Sequence, residues 1–157
     1  MGREIERKFL VNSLPPGWKK RRRWKIDQGY LSRGSSEVSI RLRKIASEHL
    51  LTVKTGRGLK RVEEEIDIPK SSFEALWPLS QSARISKTRY RIPLNEDVAE
   101  LDIYQGKHRG LAVVEIEFDS GRASRWFEPP DWFGREVTND RRYANESLAR
   151  AGKRPGS

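Results

Sequence analysis

The stretch Glu4-Ile5-Glu6-Arg7-Lys8-Phe9-Leu10-Val11 decides the fold of this chain. With the two-residue period of a strand, it places Glu4, Glu6 and Lys8 on one face. The other face holds Ile5, Phe9 and Val11, with Arg7 among them. A strand with two carboxylates and an ammonium on one face is usually a solvated edge. The same arrangement recurs in almost every later strand, which indicates charged faces that meet around one wet cavity.

Like charges recur on one face of these later strands, and acidic and basic strands are separate. The charged positions are Arg41 and Arg43, Lys54, Glu63 with Glu65 and Asp67, Lys87 with Arg89 and Arg91, Glu100 with Asp102, and Glu115 with Glu117. Like charges two residues apart repel each other, a cost that a merely solvated face does not require. Separate acidic and basic walls are expected of a barrel that holds a metal on one wall and a polyphosphate on the other. A sandwich whose charges face solvent is the alternative.

Eight strands joined by short turns predict an antiparallel sheet with helices, an α+β protein. We expect an eight-stranded antiparallel β-barrel with covering helices. Helix 71–79 would open with a capping box of Ser71 and Glu74, and helix 138–151 would also cover the apolar exterior. We assign residues 1–152 to a single domain and 153–157 to a frayed tail.

The composition limits the partners. The chain of 157 residues carries a net charge of +10 and no cysteine. A basic protein attracts polyanions such as nucleic acid, acidic membrane surfaces or phosphates. Clustered carboxylates in the middle of the chain disfavour a plain nucleic-acid binder. The lack of cysteine excludes thiolate metal sites and fits the predicted cytoplasmic location, and no apolar run approaches the ~20 residues of a membrane span.

Nine ordered segments resemble one family. Glu4-Ile5-Glu6-Arg7-Lys8 resembles the ExExK signature of the CYTH superfamily, the triphosphate tunnel metalloenzymes. The other matching segments are Gln28–Leu31, Ile40–Arg43, Leu51–Lys54, Arg61–Glu65, Ser86–Tyr90, Glu100–Asp102, Val114–Phe118 and Val137–Tyr143. The signature alone is a weak pattern, whereas nine ordered matches over essentially the whole chain are specific.

The resemblance implies an eight-stranded triphosphate tunnel that depends on Mg²⁺ or Mn²⁺. Positions that match the family's metal ligands are Glu4, Glu6, Glu115 and Glu117. Positions that match its phosphate-binding residues are Lys8, Arg41, Arg43, Lys54, Lys87 and Arg89. Glu63, Glu65 and Asp102 would complete the acidic wall and place a second metal or the attacking water. Hard oxygen ligands suit these ions, and Arg and Lys suit phosphate.

The implied reaction is metal-assisted in-line attack of water on a terminal phosphoryl group. Tyr30, Lys8 and Lys54 are the predicted catalytic residues. Tyr30 matches a family tyrosine that would act in proton transfer. An unperturbed tyrosine pKa of about 10 makes a poor base unless nearby cations lower it, so a packing role for Tyr30 is the alternative.

The predicted activity is hydrolysis of inorganic tripolyphosphate, a small polyanionic substrate, with nucleoside triphosphates as weaker substrates. Thiamine triphosphatase, nucleoside or RNA 5′-triphosphatase and adenylyl cyclase are alternatives within the superfamily. A non-catalytic module that binds polyphosphate or RNA is the alternative from another class.

Two features lie outside the matching segments. His49 and His108 occupy turn-like contexts, so we expect both at the surface. The basic run Lys19-Lys20-Arg21-Arg22-Arg23 reads either as a solvated turn or as a patch that attracts a further polyanion.

Overall fold

The computed structural model of the chain describes residues 5–32, 37–55 and 62–156. Its strands are β1 (Ile5–Val11), β2 (Arg23–Tyr30), β3 (Val38–Ile45), β4 (Glu48–Thr55), β5 (Val62–Asp67), β6 (Arg84–Leu94), β7 (Asp97–Gln105), β8 (Ala112–Phe118) and β9 (Phe133–Glu136). Its α-helices are α1 (Lys70–Leu76), α2 (Gly121–Trp126) and α3 (Asn145–Ala151). No helix in these ranges is long and apolar enough to cross a membrane.

The strands form one antiparallel sheet in the order β5-β4-β3-β2-β6-β7-β8-β1-β9. Four strands separate β1 from β3 in this order, yet Glu6 of β1 and Arg41 of β3 line the same cavity. The sheet therefore curls around a central space. The edge strands β5 and β9 do not pair with each other within the described residues.

The predicted class, an antiparallel sheet with helices, is confirmed, but the sheet has nine strands instead of eight. The additional strand is β9, which pairs with β1 through Phe9 opposite Glu136 and Val11 opposite Phe133. Its four residues follow Pro129 and Pro130 and contain no clear alternation. A strand this short carries too little pattern to be recognised before its partner is known.

Tight hairpins hold neighbouring strands in register. The β3–β4 and β6–β7 turns place Ala46 at φ 53° and Asn95 at φ 45°. Asn tolerates this left-handed conformation better than Ala does, because its side chain can hydrogen-bond locally. The pairing of Arg41 with Thr52 and of Arg91 with Glu100 follows from these turns.

The outward faces of β1, β6, β7 and β8 form an apolar core. It includes Phe9, Tyr90, Leu101, Val114 and Ile116, each at most 8% exposed. Aromatic side chains at the start of β9 and just before it cover it, with the rings of Phe9 and Phe133 5.1 Å apart. Burial on the outside of the curled sheet leaves the charged faces directed inward.

Helix α1 covers the outer face of the sheet as predicted, but it starts differently. Phe73 is buried, and its ring lies 5.1 Å from that of His49 on β4. The helix begins at Lys70 after Pro69, and no side chain caps it. The predicted capping box is wrong because Ser71 already lies inside the first turn.

The C-terminal helix is shorter than predicted and packs elsewhere. Helix α3 begins at Asn145, because the Asp140 side chain caps a separate 3₁₀ turn and Ala144 is extended. Leu148 joins a buried cluster with Tyr30, Ile85 and Tyr104. These three side chains share the inward faces of β2, β6 and β7 with charged residues. Helix α3 therefore closes part of one end of the central space and does not cover the exterior.

We predict that Leu148→Ala lowers the free energy of unfolding by about 2–5 kcal/mol, because it leaves a cavity under α3. Leu148 is fully buried, whereas Leu79 is 69% exposed. The matched control Leu79→Ala is expected to change stability little. Urea unfolding of the two variants measures the difference, and equal losses would contradict this account of α3.

Candidate functional site

The curled sheet encloses a cavity of about 740 Å³, here called the front cavity. Strands β1 to β5 form one side of it, and residues 137–146 form the other. Six predicted site residues line it: Glu6, Lys8, Tyr30, Arg41, Lys54 and Glu63. Residues from β1 and from β5, which lie near opposite ends of the sheet order, thus line the same cavity.

Strand β3 carries buried donors without acceptors on its inward face, at Arg41 in the lining of the front cavity and at Arg43 next to it. Arg41 and Arg43 each have a buried Nε–H group with no hydrogen-bond partner. Burial, Arg41 and Arg89 lower the pKa of Arg43 to about 10, so its guanidinium stays charged at neutral pH. Unsatisfied buried donors are costly. An anion in the cavity would satisfy them.

The other arginine contacts on this side are weak. Arg41 Nη2 donates to Thr52 Oγ1 at 3.2 Å and lies 3.6 Å from a Glu65 carboxylate oxygen. Lys54 Nζ lies 3.7 Å from Glu63, and both side chains are about half exposed. Such open, loosely paired cations remain available to a ligand. The predicted acidic residues Glu63 and Glu65 thus lie beside the basic strands β3 and β4.

The acidic side of the site brings carboxylates together. In the β1–β8 ladder, Glu6 is opposite Glu117 and Lys8 is opposite Glu115. Burial, followed by the neighbouring Glu115 carboxylate, raises the pKa of Glu6 to about 7. Among the described residues, Lys8 is the one cation that forms a salt bridge with Glu6 or Glu115. Its Nζ lies 3.3 Å from Glu115 and 3.2 Å from the Tyr143 carbonyl oxygen.

These carboxylates suit a divalent cation. Oxygen donors of like charge that face one another are the ligands that hard divalent ions take in proteins. No group of three or more acidic or histidine side chains in metal-binding proximity occurs among the described residues. Glu4, the fourth predicted ligand, lies outside those residues. Glu6 and Glu115 therefore fit part of a metal site.

A buried ion cluster closes the central space behind the front cavity. Lys87 is fully buried, and its Nζ donates to Asp102 Oδ2 at 2.8 Å. Arg89 donates to both oxygens of the same carboxylate, at 2.8 and 3.0 Å. Burial alone would raise the pKa of Asp102, but Lys87 and Arg89 hold it at about 2. These three predicted residues do not line the front cavity.

Tyr30 lines the front cavity but is itself largely buried, with 7% of its surface exposed. Burial raises the pKa of its hydroxyl, and the opposing effects of Arg41 and Arg43 do not compensate. The hydroxyl accepts a hydrogen bond from Gln28 Nε2 at 3.1 Å. The phenol is thus protonated at neutral pH and would serve as a donor, not as a base.

The sequence pattern did not reveal two parts of the site. Residues 137–146 bring Thr138, Asn139, Arg141 and Asn145 to the front cavity, although the stretch was predicted as an exterior helix. His108 was predicted at the surface, but it is 2% exposed and its Nε2 lies 2.6 Å from the Leu148 carbonyl oxygen. His108 thereby ties the β7–β8 turn to α3. For residues 137–146, the only signal in the sequence was the match of Val137–Tyr143 to the family pattern.

Comparison with known proteins agrees with this arrangement. The family model described as the CYTH domain matches residues 2–150. The chain is 44% identical over 147 residues to an inorganic triphosphatase of Nitrosomonas europaea, covering 93% of this chain and 96% of the relative. It is 38% identical over 157 residues to an inorganic triphosphatase of Acetivibrio thermocellus, covering 96% and 95%.

A solved structure is similar as well. The crystal structure of the inorganic triphosphatase NE1496 superposes with a TM-score of 0.79 and is 41% identical in sequence. The match covers 96% of each chain. At this identity and coverage the similarity extends over the sheet and the C-terminal segment alike.

We predict that Asp102→Asn lowers the free energy of unfolding by about 3–5 kcal/mol, because it leaves the buried Lys87 ammonium without its counter-charge. Glu100→Gln is the matched control, since Glu100 also contacts Arg89 but its side chain is 43% exposed. The control is expected to cost less than about 1 kcal/mol. Chemical denaturation of both variants tests this, and similar small losses would contradict the role of the cluster.

Asp102 also predicts a pH dependence of stability. Its pKa is about 2 in the folded protein against 3.8 for the reference carboxyl, so the folded state favours the ionised form. This contribution is present above about pH 4 and is lost as the pH falls toward about 2. Unfolding free energies measured across this window should fall more steeply for the wild type than for Asp102→Asn. Parallel curves would contradict the assignment.

Proposed function

The chain belongs to the CYTH domain family, and we propose that it hydrolyses inorganic tripolyphosphate with the help of Mg²⁺ or Mn²⁺. The two relatives that match most of its length are inorganic triphosphatases. Membership of this family implies a divalent metal. Magnesium and manganese are proposed because both take carboxylate and phosphate oxygens.

One observation carries the proposal. On one side of the front cavity are arginines with unsatisfied buried donors, Arg41 in the lining and Arg43 next to it on the inward face of β3, and on the other side is Glu6, which the Glu115 carboxylate crowds. An anion alone would satisfy Arg41 and Arg43 but would be repelled by Glu6. A cation alone would relieve Glu6 and Glu115 but would be repelled by the arginines. A phosphate chain that carries a divalent cation satisfies both sides.

The phosphate-binding role falls to Arg41 and Lys54, which line the front cavity, and to Arg43, which follows Arg41 on the inward face of β3. Arg41, Arg43 and Lys54 would hold the phosphate oxygens, with the planar arginine groups supplying paired donors. Lys8 lines the front cavity together with Glu6 and would contact the terminal phosphoryl group. Lys87 and Arg89 do not line the front cavity. They would contribute by holding Asp102 in place and by adding positive electrostatic potential to the phosphate site.

The metal-binding role falls to Glu6 and Glu115, with Glu117 next to them in the ladder and Glu4 as a further proposed ligand. When bound, a divalent cation supplies positive charge beside the phosphate oxygens, which favours displacement at phosphorus. Glu63 and Glu65 border the cation-rich strands and would orient water.

The reaction is displacement at the terminal phosphorus atom. Water oxygen forms a bond to that phosphorus as the bridging P–O bond breaks, which releases orthophosphate and pyrophosphate. The proton of the attacking water passes to a carboxylate of the acidic side. The protonated Tyr30 hydroxyl and the lysines Lys8 and Lys54 would stabilise the charge that develops on the phosphate oxygens.

The lack of an open aromatic ring in the front cavity, among the described residues, supports the inorganic substrate. The side chains that line the front cavity are mostly charged or small and polar, and Tyr30 is the one aromatic among those of the described residues. Its ring is largely buried, so it offers no face on which a nucleobase or thiamine ring could stack. Recognition would therefore depend on phosphate alone.

We predict that the protein releases phosphate from tripolyphosphate in Mg²⁺ or Mn²⁺ and that a chelator stops the reaction. Glu6→Gln should lower kcat/KM at least about 100-fold, since it removes a metal-binding charge. The control Glu64→Gln should change kcat/KM little, because Glu64 is exposed on strand β5 and does not line the cavity. Pyrophosphate, ATP and thiamine triphosphate serve as comparison substrates. Equal rates for the two variants, or a rate insensitive to chelator, would refute the proposal.

A further inference from the structure

A second, smaller cavity lies at the other end of strand β2. It has a volume of about 210 Å³ and is lined by Trp24, Ile45, Arg89, Arg91, Val98 and Glu100. It shares no lining residue with the front cavity. Trp24 precedes Tyr30 by six residues, which separates the two by ~20 Å along the strand. We call this opening the rear cavity.

The buried ion cluster lies between the two cavities. Ile26 and Gln28 follow Trp24 on the inward face of β2, and both are fully buried. Lys87 and Asp102 are also closed to solvent beside them. A ligand at the rear cavity would therefore bind without contacting the front cavity.

The basic run lies beside the rear cavity. Its five residues, Lys19 to Arg23, are all exposed and lead directly into Trp24. Arg91, also exposed, lies next to the run, because its backbone N–H donates to the carbonyl oxygen of Arg22 at 2.9 Å. These six cations form no salt bridge with any described residue. We name them the rear basic patch.

Arg89 does not belong to the accessible charge of this patch. Its guanidinium contacts both oxygens of Asp102 and also Glu100, at 2.7 Å. The charge offered to a ligand is thus that of the exposed run and Arg91. Like charges packed along five consecutive residues repel, and a bound polyanion would relieve that repulsion.

We propose that the rear basic patch is a second binding site, one that holds a chain of inorganic polyphosphate. The site is independent of the front cavity and of its metal. The patch is exposed, and five of its six cations are consecutive in the chain, so it presents a high local density of positive charge that complements the repeating negative charge of a phosphate chain. The chain lies across the rim of the rear cavity and gains affinity from several weak contacts at once.

The patch favours a phosphate chain over nucleic acid. Single-stranded nucleic acid gains much of its affinity by stacking bases on open aromatic rings. Lys19 Nζ lies 5.6 Å from the Trp18 ring centroid, and the Arg22 guanidinium lies 5.1 Å from that of Trp24. The rings of Trp18 and Tyr90 also pack in a T-shaped arrangement, with their centroids 4.9 Å apart. One cation therefore lies over each tryptophan ring and would compete with a base for it.

The size and composition of the rear site agree with this choice. The rear cavity is smaller than the about 300–1,000 Å³ of pockets that enclose organic ligands. The segment Trp18–Lys25 contains only Trp, Lys, Arg and no amide or hydroxyl side chain. Amide and hydroxyl side chains, which read base edges together with Arg and Lys, are therefore absent from it. Charge is the one property that this surface recognises.

The test compares three variants in a chelator, with medium-chain inorganic polyphosphate as the probe. The patch variant is Lys20→Gln/Arg21→Gln/Arg23→Gln, which spares the two cations that lie over tryptophan rings. Its charge-matched control is Lys107→Gln/Arg109→Gln/Arg122→Gln, three exposed positions away from the run. The front variant is Arg41→Gln/Lys54→Gln. Calorimetry gives polyphosphate affinity as a function of salt, and phosphate release from tripolyphosphate is measured separately with metal.

The patch variant should bind polyphosphate at least about tenfold more weakly than the control and with a shallower salt dependence, because fewer counterions are released. Its hydrolysis of tripolyphosphate should equal that of the wild type. The front variant should show the opposite result, with hydrolysis lost and polyphosphate binding kept. This pattern separates the second site from the proposed hydrolysis, since either can fail alone.

Other results would overturn the second site. Equal polyphosphate affinity of the patch variant and its control would refute it. So would loss of polyphosphate binding in the front variant alone, because the chain would then bind only in the front cavity. The patch would be assigned to another partner if it bound a single-stranded oligonucleotide, or vesicles rich in phosphatidylserine, more tightly than polyphosphate at an equal concentration of phosphate groups.

Discussion

The constraint on which this structure depends is the burial of charge on the inner face of a curled sheet. Apolar side chains fill the outer faces of β1, β6, β7 and β8, so the alternate positions of the same strands must point inward. Those positions hold carboxylates, lysines and arginines. Buried charge is costly unless it is paired. The pairing of Asp102 with Lys87 and Arg89 meets that cost behind the front cavity.

The front cavity is the place where the pairing is left incomplete. Asp102 is saturated by two cations, whereas Arg43 has no hydrogen-bond acceptor for its Nε–H and Glu6 has another carboxylate as its neighbour. A fold that can pair its buried ions in one layer but leaves the next layer unpaired is prepared for a ligand of mixed charge. The buried ion cluster of Lys87, Arg89 and Asp102 and the lining of the front cavity use the same residue types. They differ in whether the charged groups have partners within the protein.

The C-terminal segment determines how the cavity is closed. Residues 137–146 cross the front cavity as a turn and an extended stretch, while α3 packs on Tyr30, Ile85 and Tyr104. The buried His108 contacts the Leu148 carbonyl oxygen, and the Tyr104 hydroxyl donates to Asn145 at 2.6 Å. The wall of the cavity is therefore held in place by the β7–β8 region and by β1, where the Lys8 carbonyl oxygen accepts from the Val137 N–H at 2.8 Å and Lys8 Nζ donates to the Tyr143 carbonyl oxygen. At the rear, no comparable segment among the described residues covers the cations.

Alternation by itself determined which residues face inward, because the side-chain period of a strand is two and each charged position repeats with it. The antiparallel class and the charged interior followed from that pattern, and the family resemblance supplied the candidate roles. Tertiary structure alone decided which of those residues reach the cavity: Arg41 and Lys54 are open to it, whereas Lys87 and Asp102 bind each other behind it. It also decided the ninth strand, the late start of α3 and the burial of His108. These depend on contacts between residues far apart in the chain, such as His108 with Leu148 and β9 with β1, and no local pattern records such contacts.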